Sequence, residues 1–91
     1  MNYKILPYTY TQAKRIGVEI KPSTVKGKKI DVFKGPNKVA SVGASGYMDY
    51  PHYLMNDPEV AAERRKNYKL RHRADRIKKE SPGWYADKLL W

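Results

Sequence analysis

The side chains able to do chemistry are few. Two histidines, His52 and His72, are the only imidazoles in the 91 residues, and cysteine is absent. A metal or general-base site built on them needs H-E-x-x-H or His-x-His spacing, because ligands must converge on one ion, and neither pattern occurs. His72 lies in Arg71-His72-Arg73, where the neighbouring positive charge repels a divalent ion. Asp31, Asp49 and Asp57 fall on separate segments, so paired carboxylates for acid–base work are not indicated. No G-x-S-x-G elbow, phosphate loop or dinucleotide glycine pattern is present, and Gly43-Ala44-Ser45-Gly46 is too short to serve as one. These absences point to a protein that is not an enzyme and uses no metal or cofactor.

What the composition does offer is charge. Nineteen Lys+Arg stand against nine Asp+Glu, a formal net charge of +10. Such an excess draws a protein to a polyanion or an acidic surface. The absence of cysteine excludes a disulfide framework and permits a reducing compartment. Residues 1–10 lack the apolar stretch of a secretory leader, and no run of about 18 apolar residues is found, so neither secretion nor a membrane span is expected. The length fits one small domain, spanning 1–91, whose thin core leaves modest stability. Aromatic residues, mostly tyrosine, make up 12% and suit wet interfaces as well as cores.

The elements that must position these charges form an α+β fold. A short strand is expected at residues 3–6, ended by Pro7. Thr9-Tyr10-Thr11-Gln12 fits a capping box, so a two-turn helix is predicted over about 10–16, with Tyr10, Ala13 and Ile16 inward and Gly17 at its end. Val18-Glu19-Ile20 alternates as a short strand. Residues 29–34 and 39–42 flank Gly35-Pro36-Asn37-Lys38 and read as a β-hairpin, with Ile30 and Val32 on its buried face. Residues 43–54 read as an irregular, aromatic-rich connection. Asp57, Pro58 and Glu59 then give an N-cap, a proline suited to the first turn and a favourable dipole charge. A long helix follows over about 58–80, broken by Ser81-Pro82-Gly83. An apolar C-terminal segment, 84–91, closes the chain as a short helix.

On the long helix, Val60, Asn67, Leu70, Ala74 and Ile77 fall on one arc, predicted to face the core. The opposite side carries Arg65, Lys66, Lys69, Arg73, Arg76 and Lys79, a ridge able to contact phosphates. Lys26, Lys28 and Lys29 around Gly27 offer a second contact, since glycine lets backbone N–H groups approach an anion. Tyr47, Tyr50 and Tyr53, with Met48 and Met55, are expected to pack under the long helix. Trp84, Tyr85, Leu89, Leu90 and Trp91 either complete the protein's own core or anchor in a neighbour.

Several of these segments together also resemble a known family. Lys28 to Phe33 (KKIDVF), Gly46-Tyr47-Met48-Asp49-Tyr50, Arg64 to His72 (RRKNYKLRH) and Ser81 to Trp91 (SPGWYADKLLW) are similar to small basic proteins of large double-stranded DNA viruses, the phycodnavirus and mimivirus-like group. The resemblance implies a viral setting, in the virion or in the cytoplasm or nucleus of an infected cell, and assigns no functional residues. The expectation is a virion-associated protein that binds nucleic acid, double-stranded DNA without sequence specificity, through phosphate contacts. The alternative is a minor capsid protein that cements other virion subunits through its aromatic C-terminal segment and lays its basic face on their acidic surfaces.

Overall fold

The computed structural model describes residues 3–91, and within them lie four helices and a three-stranded antiparallel sheet. Helix α1 (Pro7–Ile16) comes first, followed by β1 (Glu19–Pro22), β2 (Lys28–Lys34) and β3 (Asn37–Ala44) in spatial order β1-β2-β3. Helices α2 (Tyr50–Asn56), α3 (Pro58–Arg71) and α4 (Pro82–Leu90) complete the chain.

The hairpin forms as its β-branched residues predict, over slightly longer strands. Ile30 pairs with Val42, and Val32 with Ala40 and Ile20, so these side chains share one face of the sheet and are buried. Against that face lie Ile5, Ala13 and Val18, and from the other end of the chain Tyr85, Leu89 and Leu90. β1 extends from Glu19 to Pro22, beyond the predicted Val18–Ile20 alternation.

The amino-terminal expectations need correction. Residues 3–6 are not a strand, although Ile5 and Leu6 are buried, and Pro7 begins α1 rather than ending an earlier element. Proline's fixed φ and missing N–H suit the first helical position, so the helix starts at Pro7, three residues before the predicted start at Tyr10. Thr9 is therefore inside the helix and buried, its hydroxyl without a hydrogen-bond partner among the described residues, while Gln12 donates to the Lys88 carbonyl at 3.1 Å. Ala13 is buried as predicted, but Tyr10 faces solvent.

The connection over 43–54 contains a helix that its glycines and proline obscure. Asp49 caps α2 by accepting from the His52 amide, with Pro51 in the first turn. Asp57 caps α3 as predicted, accepting from the Glu59 and Val60 amides. That helix ends at Arg71, not near residue 80, and the reason lies in its buried stripe. Ala61 and Tyr68 are buried, with Arg65 and His72 half-buried on the same line. Continued for two more turns, the line would carry Asp75, Arg76 and Lys79, none of which supplies the apolar packing that sustains a helix in water. Residues 72–81 instead form a series of turns, and the Arg76 side chain donates to the Lys69 carbonyl left open at the helix end.

Two close approaches lock this arrangement. Gly43, at φ +82°, has no side chain to meet Leu90, whose Cδ1 would be 2.8 Å from an added Cβ. Gly83 likewise lets the Asp75 carbonyl come within 2.9 Å of where its Cβ would stand, which presses the 72–81 turns onto the first turn of α4. Ser81, expected only to break the long helix, caps α4 by accepting from the Trp84 amide.

Replacement of Gly43 by alanine is expected to combine the left-handed backbone penalty of about 1–2 kcal/mol with displacement of Leu90, and to lower the midpoint of chemical denaturation accordingly. A second expectation concerns Asp31, buried in β2. Burial alone would raise its carboxyl, but hydrogen bonds from Ser23, Ser41 and the Thr24 amide, with Lys38 nearby, outweigh it and hold the pKa at about 2. The folded pKa lies below the ordinary aspartate value of about 3.9, so the carboxylate's contribution is complete above that value and is lost as pH falls through it towards 2. Thermal unfolding measured from pH 5 to pH 2 should therefore show a smaller loss of stability in Asp31→Asn than in the parent.

Candidate nucleic-acid interface

Three of the nine acidic residues, Asp31, Asp49 and Asp87, are buried, and each holds basic or hydroxyl partners. Burying a carboxylate is unfavourable unless it is paired and hydrogen-bonded, so these three decide which cations are drawn inward. Asp49 accepts from the Tyr3 hydroxyl at 2.6 Å and from Lys29 Nζ at 3.1 Å, and His52 Nδ1 stands 2.6 Å from its other oxygen. This binds the N-terminal segment, β2 and α2 together. The Tyr3 phenol is pushed well up by its burial and by the hydrogen bond to Asp49, so it remains a donor at neutral pH. Asp87 in α4 accepts from Lys69 Nζ at 2.6 Å and lies 4.0 Å from Arg76 Nη1, joining α4 to the end of α3.

These pairings redistribute the predicted phosphate contacts. Lys29 is buried against Asp49, and Lys69 and Arg76 are held by Asp87. Arg65 is half-buried, its guanidinium 4.6 Å from the centre of the Tyr50 ring. Lys26, Lys28, Lys66, Arg73 and Lys79 are exposed. The continuous outer ridge is therefore interrupted at Arg65, Lys69 and Arg76. Leu70 and Ile77, expected inside, are 61% and 72% exposed, and Val60 is also exposed. The face of α3 opposite Ala61 and Tyr68 carries Glu59, Glu63, Lys66 and Leu70, which is not a basic surface.

The C-terminal residues are likewise divided. Tyr85, Leu89 and Leu90 are fully buried in the core and cannot serve as a surface anchor, whereas Trp84 and Trp91 pack half-buried against it. Trp91 stacks on Tyr68 with 4.4 Å between ring centres and 6° between planes, and His72 also stacks on Tyr68, at 4.6 Å. Burial, with Asp87 close by, pushes the Tyr68 phenol up to about 12, against the opposing effect of Arg71 and Arg76. Tyr50 and Tyr53 pack half-buried near α3 as expected, but Tyr47 is 76% exposed, and Met48 and Met55 are also exposed.

Beside this ring column lies a groove of about 890 Å³ between β3, α3, the 72–81 turns and α4. Tyr53, Tyr68, Trp91, Ala86 and Leu90 contribute to its lining, and Tyr47 stands at its margin, as its exposure requires. Lys28, Arg64, Arg71 and Lys78 are exposed cations around it, and Asp75 is the one acid lining it among the described residues. Lys29 also borders the groove but is already neutralised by Asp49. A smaller groove of about 480 Å³ takes in Lys26, Gly27 and Ser45, and it shares Lys28, Lys29, Tyr47 and Met48 with the first. Sequence reasoning picked Lys28 and missed Arg64, Arg71 and Lys78. Their seven-residue spacing, with Asn67 between the arginines, was the available signal: Arg64, Asn67 and Arg71 share one flank of α3 beside the line of Tyr68.

No family model, curated protein or solved structure matches this chain.

Asp87→Ala is expected to remove the charged hydrogen bond that fixes the end of α3, at about 1.5–3 kcal/mol. Lys69→Met alone should cost more, because a Lys69 freed by loss of Asp87 still reaches solvent whereas a buried Asp87 deprived of Lys69 keeps only Arg76, 4.0 Å away. Urea denaturation of the two single variants and the double variant measures the coupling between the residues.

Proposed function

We propose that this protein binds nucleic acid through phosphate contacts, as a non-enzymatic, virion-associated component of a large double-stranded DNA virus. The observation that carries the binding is the set of four exposed cations, Lys28, Arg64, Arg71 and Lys78, converging on one groove with a single acid among them. Cations already satisfied by buried carboxylates gain little from a phosphate, so Lys29, Lys69 and Arg76 are assigned to the fold. Lys26 extends the same surface along the second groove. Lys66, Arg73 and Lys79 lie elsewhere on the helix and turns and add long-range attraction. The viral setting rests on the resemblance of the segments around Tyr47, Tyr68 and Trp84, and no helix among the described residues is long and apolar enough to cross a membrane.

Each phosphate neutralised releases counterions, so affinity must fall with salt. For duplex DNA, the slope of log K against log salt is expected near −3 to −4, at about −0.9 for each contact. Arg64→Ala, Arg71→Ala and Lys78→Ala in combination should flatten that slope by two to three units, while Lys66→Ala with Arg73→Ala changes it by less than one. Fluorescence anisotropy at several salt concentrations reads both. Salt-insensitive binding, or a triple variant that binds as the parent does, would overturn the proposal.

A further inference from the structure

The groove has aromatic surface where a pure phosphate clamp would need none. From that we infer that its ligand is a single-stranded stretch of nucleic acid whose bases lie against the rings while its phosphates follow the cations. The inference rests on the nucleic-acid reading above and goes further, because it names the strand state and the moiety recognised.

A duplex turns its phosphates outward and stacks its bases on one another, so rings recessed among cations find no base face to meet. An unpaired strand exposes both. Single-strand sites combine a basic track with aromatic rings, and stacking there tolerates any base because every base has a π-face. The groove holds both components. Trp91 and His72 both stack on the buried Tyr68, which fixes these two rings. Trp91 and His72 are half-buried and line the groove. Tyr53 lies 6.5 Å from Trp91, with the Arg64 guanidinium 5.8 Å from the centre of its own ring. Arg64 is therefore held where it reaches both a base and a phosphate.

Tyr47 adds direction to the site. It lines both grooves, is largely exposed, and stands with Lys28 where the two meet. A strand leaving the Trp91 and Arg71 end thus passes Tyr47 and Lys28 and continues towards Lys26 and Gly27. The Tyr68, Trp91 and His72 rings are placed without a bound ligand, since they stack on one another and Tyr68 is buried, so little ordering of these three opposes binding.

The test compares oligo(dT), oligo(U), a duplex of equal length and an abasic oligonucleotide carrying the same phosphates, each titrated against the full chain with anisotropy and tryptophan fluorescence as readouts. Both single strands should bind more tightly than the duplex and the abasic chain, with the ratio between dT and U reporting which sugar the site prefers. Tryptophan quenching on binding should persist in Trp84→Phe, leaving Trp91 as its source. Tyr47→Ala alters an exposed side chain and should leave the fold intact; it is expected to weaken single-strand binding about tenfold, the order for loss of one stacked base, with duplex binding unchanged. Equal affinity for abasic and base-bearing strands, or a Tyr47→Ala variant that binds oligo(dT) as the parent does, overturns the inference while leaving the phosphate reading standing. Failure of every polyanion to bind overturns both.

Discussion

Leu89 and Leu90, with Tyr85 one turn before them, are buried in the same cluster as Ile30, Val32 and Val42, and this docking of α4 on the sheet is the contact on which the other features depend. Burial of three large side chains from one short helix supplies much of the apolar area a chain of this size can enclose. The fit requires a bare backbone at Gly43, because any side chain there would collide with Leu90. It also fixes the position of Asp87, which lies between the two apolar turns and cannot be buried without carrying a charge inward.

The consequences run through the charge. Asp87 must be compensated, and the cations within its reach are Lys69 and Arg76, so the end of α3 is drawn towards α4 by its basic side chains. In the same arrangement Tyr68 stacks on Trp91, and Arg64 and Arg71 line the groove together with residues of β3. Asp49 acts in the same way at the opposite edge, taking up Lys29, while Asp31 is satisfied mainly by hydroxyl and amide donors. Buried carboxylates thus act as selectors: they remove some cations from the surface and leave others free to meet an external anion. The net charge of +10 is unchanged by this sorting, but its accessible portion is concentrated where acids are few.

The groove follows from the failure of α3 to continue. Its buried stripe ends at His72, and the turns that replace it bend the chain back so that Gly83 meets Asp75. A helix running straight to residue 80 would have left α4 without a return path to the sheet and no concavity beside Trp91. The irregular turns therefore contribute a wall of the site, including Lys78, and their many like charges are compatible with a segment exposed to solvent and to an anionic ligand.

Local chemistry was legible in the residues themselves. The hairpin around Gly35-Pro36, the Asp57 cap, the apolar C-terminal helix and the basic excess each depend on neighbours a few positions away. The α1 start was misjudged by its capping box because Pro7 at the first turn and burial of Thr9 prevailed. What the residues could not disclose is which face of α3 turns inward. Leu70 and Ile77 are more apolar than Tyr68 and Arg65, yet tyrosine and the arginine stem bury well when other rings cover them, and those rings come from α2 and the chain's last residue. The candidate site was partly legible at Lys28 and not at Arg64, Arg71 and Lys78, for the same reason. A cation's availability depends on whether a carboxylate reaches it, and the deciding pairs join positions 18 and 20 residues apart, Lys69 with Asp87 and Lys29 with Asp49. Sequence determined how many charges the protein has and where the hairpin, the Asp57 cap and the C-terminal helix form; the packing of α4 decided which of those charges remain outside, because only a folded core can bury a carboxylate and oblige a particular cation to follow it.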